Sequence, residues 1–337
     1  MKRRIMALVC LTGLLLAGCG KGQTEDTSAS QEIFAMDTVM TLEAYGDAAQ
    51  TALEQATAEI ERLDALWSIS SSTGDIARLN AEKTITASDD TLTLLQRAQE
   101  ISTATDGLFS VTIEPVMEAW GFTSGAYRVP TQTELATLLA NVDDSRITIQ
   151  DDTVTIPAAA KVDLGGIAKG FTSDRVMAIF RDAGVTSGVI SLGGNVQTLG
   201  TKPDGSLWRV GIQSPTQTDA LIATLEVADK AVITSGGYQR YFEADGQTYH
   251  HIIDPRTGYP AESGLASVTI VSADGILADG LSTALFIMGR EAALDFWRSH
   301  REDFDVLLVA DDGSVTITEG LTDCTTLTDG STPEVVA

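Results

Sequence analysis

"FDVLLVADDGSVTITE", residues 304–319, is the stretch that decides the fold class of this chain. An apolar run is followed by the turn residues Asp-Asp-Gly-Ser and then by alternating apolar and polar residues, the pattern of two strands joined by a tight turn. The segment "RITIQDDTVTIP", residues 146–157, follows the same plan around Asp151 and Asp152. Two strands joined so closely pair antiparallel, because a parallel pair needs a crossover of a dozen or more residues.

Strand-like segments also dominate residues 188–272, where turn signals such as "PDGS" and "ADGQ" separate them, and "TVMTLEAY", residues 38–45, predicts the strand that opens the domain. Strands with adjacent turns outnumber strands separated by helices, so the sequence predicts an α+β fold with largely antiparallel sheets and flanking helices. Helical spacing and capping residues predict the helices at residues 48–67, 89–104, 131–140, 167–182 and 274–300.

The composition restricts the classes of function. The chain has 337 residues, of which 43% are hydrophobic, enough for one large domain or two small ones with a real core. Its formal net charge of −25 argues against nucleic acid as a partner and against a polybasic face that binds membranes, and it makes a cation the more natural partner. Of the three cysteines, only Cys324 remains if the two N-terminal ones serve export, so we expect no internal disulfide.

The N-terminal residues "MKRRIMALVCLTGLLLAGCGKG" predict export from the cytoplasm. A basic start precedes an apolar run that is too short to span a bilayer comfortably, as in a cleaved signal. The residues Leu-Ala-Gly-Cys that end at Cys19 resemble a bacterial lipobox, which implies a lipid on Cys19 and a membrane anchor. A generic export signal with an incidental cysteine is the alternative.

We therefore expect an extracytoplasmic protein, anchored by lipid on the periplasmic side or on the outer face of the cytoplasmic membrane. The predicted division is a lipoprotein signal peptide, a lipidated cysteine with a polar tether, one folded domain and a loose polar tail, at residues 1–18, 19–31, 32–320 and 321–337.

The segment "KVDLGGIAKGF", residues 161–171, carries the first candidate binding site. Asp163 ends a strand-like stretch, and Gly165 and Gly166 allow the backbone to approach a ligand closely. A helix begins there, so its free N–H groups suit an anionic phosphate, and Lys169 lies in its first turn. A plain strand-to-helix turn with a solvated lysine explains the same residues about equally well.

The segment "ADGLSTALF", residues 278–286, carries a candidate metal site. Asp279 and Thr283 are four residues apart and share a helix face among apolar neighbours, and a carboxylate with a hydroxyl suits a hard cation such as Mg²⁺ or Ca²⁺. On these residues alone, a Thr283 hydroxyl bonded back to the Asp279 carbonyl, with the carboxylate at a solvent edge, is the favoured alternative. The segment "SLGGNVQTLG", residues 191–200, either adds a second loop to the same cleft or only turns a strand.

The segment "YHHIIDPRTGYP", residues 249–260, contains two of the three histidines. Strand alternation directs His250 and His251 to opposite faces, so only one of them can face a cleft. Pro255 and Gly258 mark a turn, in which Arg256 steadies either a phosphate or the turn itself. A zinc site is not expected, since no cysteine or histidine cluster accompanies the pair, and the sequence has no Ser-x-x-Lys, Gly-x-Ser-x-Gly or Walker A motif.

Five motifs in order resemble the ApbE family over about residues 32–310: "FAMDTVM", "DLGGIAKGF", "SLGGNVQTLG", "HHIIDPRTGYP" and "ADGLSTALF". This resemblance implies a T-fold-like α+β domain with an FAD cleft between subdomains. It also implies an FAD:protein FMN transferase that moves FMN from FAD to a Ser or Thr hydroxyl of a target flavoprotein subunit and releases AMP. An FAD pyrophosphatase on the same scaffold, which yields FMN and AMP, and a non-catalytic flavin-binding lipoprotein are the alternatives.

The resemblance also assigns roles to residues by motif match. His251 is the expected catalytic residue. Asp279 and Thr283, with a backbone carbonyl from the loop of Gly166 and Ala168, are expected to hold Mg²⁺, with Ca²⁺ or Mn²⁺ as alternatives. The residues expected to contact FAD are Met36, Phe109, Ser110, Val111, Asp163, Lys169, His251 and Ile252. Asp37 stands where the Met-Gly-Thr motif of the family has glycine, which leaves the local backbone and the role of Asp37 open.

Overall fold

The computed structural model describes residues 27–217 and 219–337. The predicted signal peptide, Cys19 and most of the predicted tether lie outside these residues. Within them, the helices α1 to α8 are Ala49–Trp67, Asp75–Glu82, Asp89–Ala104, Glu114–Trp120, Gln132–Leu139, Ala168–Asp182, Gly275–Met288 and Arg290–Ser299. None of the described helices is long and apolar enough to cross a membrane.

Seventeen strands accompany the helices in the described part of the chain. In chain order, β1 to β17 are Ser28–Ala35, Thr38–Tyr45, Thr84–Thr86, Thr148–Gln150, Thr153–Thr155, Ser187–Leu192, Asn195–Leu199, Trp208–Gln213, Leu221–Val227, Ala231–Gly236, Tyr241–Ala244, Gln247–His250, Leu265–Ser272, Phe304–Ala310, Val315–Thr318, Thr325–Leu327 and Glu334–Val336.

The main sheet has nine strands in the order β1-β2-β6-β7-β10-β13-β14-β15-β17. Every neighbouring pair in it is antiparallel except β15 and β17, so the predicted α+β class with largely antiparallel sheets is confirmed. The hairpin that first indicated this class is present as β14 and β15, with Leu307 opposite Ile317. The second hairpin is present as β4 and β5, and Asp151 in its turn has φ +51°.

Helices cover one face of the main sheet and a smaller sheet covers part of the other. Helices α1 and α6 pack on β1, β2 and β6 through fully buried side chains such as Ile60 and Phe180. Burying a side chain of this kind stabilises the fold by about 1.5–3 kcal/mol. The three-stranded sheet β16-β9-β8 buries Leu225 against Leu307 of the main sheet on the opposite face.

Most predicted helices are present, and two details differ. The predicted helix at residues 274–300 is two helices, α7 and α8, because Gly289 with φ +78° ends the first and begins the second. The short helices α2 and α4 were not predicted. Thr131 accepts a hydrogen bond from the N–H of Glu134 at the start of α5, as its capping sequence indicates.

Both ends of the described chain are more ordered than the sequence suggested. The strand β1 begins at Ser28, four residues inside the predicted tether. The prediction of a loose tail after residue 320 is wrong for two short segments, because β16 pairs with β9 and β17 pairs with β15. Backbone pairing fixes these segments although most of their side chains are not buried, and Leu327 adds one buried apolar contact.

Candidate active site

A cavity of about 740 Å³ opens where the turns and strand ends of the main sheet meet the N-terminus of α6 and one face of α7. This volume is typical of a cofactor-sized ligand site. Both polar and apolar side chains line this cavity, which we call the central cavity. Its walls include all of the FAD-contacting residues expected from the resemblance: Met36, Phe109, Ser110, Val111, Asp163, Lys169, His251 and Ile252. Three residues of the expected metal site also line it, namely Gly166, Asp279 and Thr283. The fourth, Ala168, does not line the cavity.

The turn before α6 forms one wall of the central cavity. Asp163 accepts a hydrogen bond from the N–H of Gly165 at 2.8 Å, and Lys169 donates to the carbonyl of Gly165 at 3.2 Å. Burial raises the pKa of Asp163, and the charge of Lys169 partly offsets this effect. Lys169 thus places a cationic side chain at the start of α6, as an anionic ligand requires, whereas the N–H groups of Ala168 and Gly170 are already bonded to the Leu164 carbonyl and to Asp279.

Asp279 lies at a close crossing of α6 and α7. Its Oδ2 accepts from the N–H of Gly170 at 2.8 Å, and its Oδ1 accepts from the side-chain amide of Asn195 at 2.9 Å. The residue is 5% exposed, so the alternative that placed its carboxylate at a solvent edge is wrong. Burial raises the pKa of Asp279, while Lys169 and the two hydrogen bonds lower it. Asn195 also shows that the loop at residues 191–200 reaches the same cavity.

Thr283 does not make the back-bond that the sequence favoured. The Asp279 carbonyl accepts instead from the hydroxyl of Ser282 at 2.8 Å, and the Thr283 hydroxyl lies 3.3 Å from that of Ser235. Thr283 therefore presents a hydroxyl to the cavity beside a buried carboxylate. The Ala168 carbonyl accepts from the hydroxyl of Thr172 at 2.8 Å within α6, so Gly166 is the better source of a loop carbonyl.

A cation beside Asp279 would find oxygen donors. No group of three or more His, Cys, Asp or Glu side chains that could hold a metal occurs in the described residues. A cation in this cavity would bind one carboxylate together with neutral oxygens, and that donor set suits a hard cation rather than zinc.

The two histidines face opposite ways, in agreement with strand alternation. His251 lines the cavity, and its Nδ1 lies 3.2 Å from the carbonyl of Arg240. His250 lies on the far side, with its Nε2 3.2 Å from the carbonyl of Ala261 and its ring edge-on to Phe286 at 5.6 Å. The N–H of Ile252 donates to Nδ1 of His250 at 3.3 Å, so both ring nitrogens of His250 have partners within the fold.

The surroundings of His251 fix its charge and its tautomer. Burial, together with the positive charge of Arg240, lowers its pKa to about 3, so the ring is neutral near pH 7. A carbonyl can only accept, so Nδ1 of His251 carries the proton and donates to Arg240. The lone pair of Nε2 is consequently free to accept a proton.

The turn after the histidines serves the fold more than the ligand. Arg256 donates to both carboxylate oxygens of Asp254, with its Nη2 2.7 Å from Oδ2. The N–H of Gly258 donates to the Asp254 carbonyl at 2.8 Å, and the Gly258 carbonyl accepts from the indole of Trp120 at 2.7 Å. Of the two roles left open for Arg256, the structure therefore supports the one within its own turn.

Several cavity residues lie outside the five motifs, among them the polar residues Arg240 and Tyr238. Arg240 lies between β10 and β11, lines the cavity and donates to the carbonyl of Phe122 at 2.6 Å. Tyr238 lies in the same connection, and burial raises its pKa, so its hydroxyl remains a neutral donor near pH 7. Their position directly before the "YFEADGQTYHH" hairpin is the only sequence signal that could have indicated them.

The turn between β1 and β2 explains the departure at Asp37. Met36 and Asp37 have φ +49° and +59°, the left-handed backbone of a two-residue hairpin turn. Glycine adopts this backbone without strain, and aspartate is among the residues that tolerate it. The substitution therefore keeps the turn and adds a carboxylate to the cavity wall.

The comparison with known families identifies the domain. The family model described as the ApbE family matches residues 36–308, which is most of the described chain. The chain belongs to the ApbE family. The five motifs that carry the resemblance in the sequence all fall within or next to this region, and each of them supplies residues to the central cavity.

Known members of the ApbE family support the same assignment. A protein from Klebsiella pneumoniae (strain 342), named FAD:protein FMN transferase, is 36% identical over 216 residues, which span 63% of this chain and 66% of that protein. The ApbE protein from Thermotoga maritima has a solved structure with a TM-score of 0.82 and 31% identity, covering 87% of this chain and 98% of its own. The flavin transferase ApbE from Vibrio cholerae gives a TM-score of 0.79 at 27% identity, covering 89% and 99%.

Proposed function

We propose that this chain is an FAD:protein FMN transferase that moves FMN from FAD to a Ser or Thr hydroxyl of a target flavoprotein subunit and releases AMP. The observation that carries the proposal is the free Nε2 of His251, which faces the same cavity as the start of α6 and the pair Asp279 and Thr283. Membership of the ApbE family and the names of its relatives support this assignment.

The oxygen donors around Asp279 fit Mg²⁺, which we include in the proposal. Asp279 is a buried carboxylate whose hydrogen-bond partners are both amides, so lone pairs remain for a cation that would also offset its buried charge. Thr283 and the Gly166 carbonyl complete the donor set, and Ca²⁺ or Mn²⁺ are alternatives with the same chemistry. When bound, the cation neutralises charge that develops on the pyrophosphate.

The residues of the chain bind and orient the pyrophosphate. The ammonium of Lys169 attracts its oxygens, and Arg240 adds a second positive charge near His251. Fixed donors of this kind stabilise negative charge without reorganisation during the reaction. Phe109 and Met36 offer apolar and thioether surface for the flavin.

His251 accepts the proton in the proposed reaction. Its Nε2 takes the proton of the acceptor hydroxyl while that oxygen forms a bond to the FMN-side phosphorus of FAD. The bond from this phosphorus to the bridging oxygen breaks, and AMP leaves with the bridging oxygen. The hydrogen bond from Nδ1 to the carbonyl of Arg240 holds the ring in the tautomer that this step needs.

We also propose that the protein works outside the cytoplasm, held to the membrane by a lipid on Cys19. The lipobox-like residues before Cys19 support this location. A flavoprotein subunit whose acceptor Ser or Thr is exposed on the same side of the membrane is then the expected partner.

The decisive experiment incubates the purified domain with FAD, Mg²⁺ and a candidate flavoprotein subunit and then measures the mass of that subunit and the AMP released. A transferase adds FMN to the subunit and releases one AMP for each FMN. AMP release without a labelled subunit would indicate the FAD pyrophosphatase, and FAD binding without AMP release would indicate a flavin-binding lipoprotein.

A further inference from the structure

Among the described residues, the strand β1 is an open edge of the main sheet. It is the first strand in the sheet order, and within residues 27–217 and 219–337 it pairs only with β2, from Ser28 opposite Tyr45 to Ala35 opposite Thr38. Natural sheets usually protect such edges with lysine, proline, a bulge or a covering segment. The eight residues of β1 contain no lysine and no proline, and their register with β2 shows no bulge.

The register of the hairpin directs a row of backbone groups away from β2, and one of them, the Glu32 carbonyl, accepts a long hydrogen bond of 3.4 Å from the exposed side chain of Gln31. The pair Ala35 and Thr38 closes a two-residue turn, so these residues exchange backbone hydrogen bonds with each other. Pairs alternate between hydrogen-bonded and non-hydrogen-bonded in an antiparallel ladder. The N–H and C=O groups of Phe34, Glu32 and Ser30 therefore point to the open edge, where another strand could pair with them.

An exposed apolar pair marks the end of this edge nearest the cavity. Phe34 is 72% exposed and Val39 is 53% exposed, and the two are direct cross-strand neighbours. Cross-strand neighbours project from the same face, so their side chains form one small apolar surface. The next two residues along the chain after Phe34 and Ala35 are Met36 and Asp37, which line the central cavity.

We propose that β1 is the docking site for the acceptor segment of the target flavoprotein, which adds to the sheet as a further strand along Ser30, Glu32 and Phe34. This inference rests on the proposed transferase function and identifies how its protein substrate is held. A strand paired along this edge is directed towards the wall formed by Met36 and Asp37, so an acceptor hydroxyl just beyond the paired stretch arrives at the cavity. Backbone pairing gives affinity, and the surface of Phe34 and Val39 selects an apolar side chain of the acceptor.

The cavity itself favours this occupant over a second copy of the chain. The reaction needs a macromolecular substrate whose hydroxyl reaches the site next to His251, and β1 is an edge strand that leads directly into that site. The opposite edge of the same sheet, β17, has only three residues and its exposed Val335 offers no such continuation. An edge occupied by a second copy would compete with the acceptor, which the experiment below detects.

The test uses the flavoprotein subunit that the wild-type enzyme labels most rapidly in the mass assay. Two variants change the edge outside the cavity. Glu32→Pro removes an outward N–H, and Phe34→Asp places a charge in the apolar surface. We expect each to raise the KM for the subunit about tenfold or more, with kcat at saturating subunit changed little. The FAD affinity, measured by flavin fluorescence, and the acceptor-independent release of AMP remain at the wild-type level.

Val335→Asp on the opposite edge strand is the matched control and leaves the KM unchanged. Thermal unfolding of all variants checks the fold, and Phe34→Asp alone decides the outcome if proline disrupts the strand. An unchanged KM in a folded Phe34→Asp variant overturns the inference, as does a wild-type dimer in sedimentation that this variant dissociates. A wild-type enzyme that labels no subunit overturns the proposed function itself, so the two failures are distinguishable.

Discussion

Gly170 and Asp279 approach so closely that no side chain fits between them. A Cβ atom added to Gly170 would lie 2.7 Å from the Cβ of Asp279 and would also collide with the carbonyl of Gly275. The N–H of Gly170 donates to Oδ2 of Asp279 at 2.8 Å across this contact. The crossing of α6 and α7 thus fixes the position of the buried carboxylate. It also fixes the distance between the cavity residues on α6 and those on α7.

Gly170→Ala should separate the two helices and displace the Asp279 carboxylate. We expect a loss of about 1–3 kcal/mol in the free energy of unfolding, measured with urea, together with slower AMP release. Gly280→Ala is the control, because a Cβ there would meet the flexible end of Ile101 rather than backbone. Equal effects of the two substitutions would show that the crossing does not position the carboxylate.

Asp279→Asn keeps the shape of the side chain and removes its charge. Because the cation would lose its only charged ligand, AMP release should fall about 10²-fold or more, and Mg²⁺ should no longer raise the melting temperature of the domain. Asp312→Asn, on the exposed turn between β14 and β15, is the charge-matched control. Full turnover of Asp279→Asn in the presence of a chelator would contradict the metal assignment.

His251→Ala should lose about 10²–10⁴-fold in the rate of FMN transfer while it still binds FAD, since the base is removed and Lys169 remains. His250→Ala should change turnover little, because this ring contacts Phe286 and Ala261 on the far side of the strand. Single-turnover AMP release at saturating FAD and Mg²⁺ measures both variants. A larger loss in His250→Ala would reverse the assignment of the two faces.

The buried carboxyl of Glu114 should make the domain less stable as the pH rises. Its side chain is 4% exposed and one oxygen has no hydrogen-bond partner, and burial raises its pKa to about 8, with the charges of Asp163 and Glu118 adding to the shift. The folded state holds this proton up to about pH 8, whereas the unfolded state releases it near pH 4.5. Stability is therefore full below pH 4.5 and falls between pH 4.5 and 8.

Glu114→Gln removes that dependence and should raise the melting temperature at pH 8 more than at pH 5. Chemical denaturation of the wild type and the variant across this range measures the difference. A variant as pH-dependent as the wild type would assign the effect to another group.

Cys19→Ser should release an active enzyme from the membrane if the cysteine carries the lipid. Cys19 lies outside the described residues, the first strand of which begins at Ser28, so we expect the substitution to leave the cavity unchanged. Fractionation of cells that express each form, followed by the AMP assay, measures the location and the activity. A Cys19→Ser form that is processed and still sediments with membranes would contradict the anchor.

The sequence was most informative where a pattern is local. Apolar spacing predicted α1 and α3, and the tight turns predicted the antiparallel class. The first four residues of β1 were assigned to the tether because they are mostly polar, and pairing with β2 and packing on α1 order the strand.

For the site, too, the residues that belong to local motifs were the ones that the sequence predicted. Motif residues such as Asp163, His251 and Asp279 were predicted, and they meet in one cavity. Arg240 and Tyr238 were missed because their placement depends on how the connection after β10 crosses the cavity, which no local pattern encodes. The charge state of His251 likewise depends on burial and on Arg240, which become neighbours only in the folded chain.

If Cys19 carries a lipid, the position of β1 helps to set how far the cavity stands from the bilayer. The strand begins at Ser28, just after the segment that would lead to a lipid, and ends beside the cavity at Ala35. Eight residues of strand span about 26 Å, so this strand acts as a stiff spacer between the two ends. A lipid on Cys19 would confine the enzyme to a thin layer above the membrane, where a membrane-bound acceptor meets it at a raised effective concentration. The spacer would hold the cavity at the height of a protruding domain rather than against the lipid headgroups.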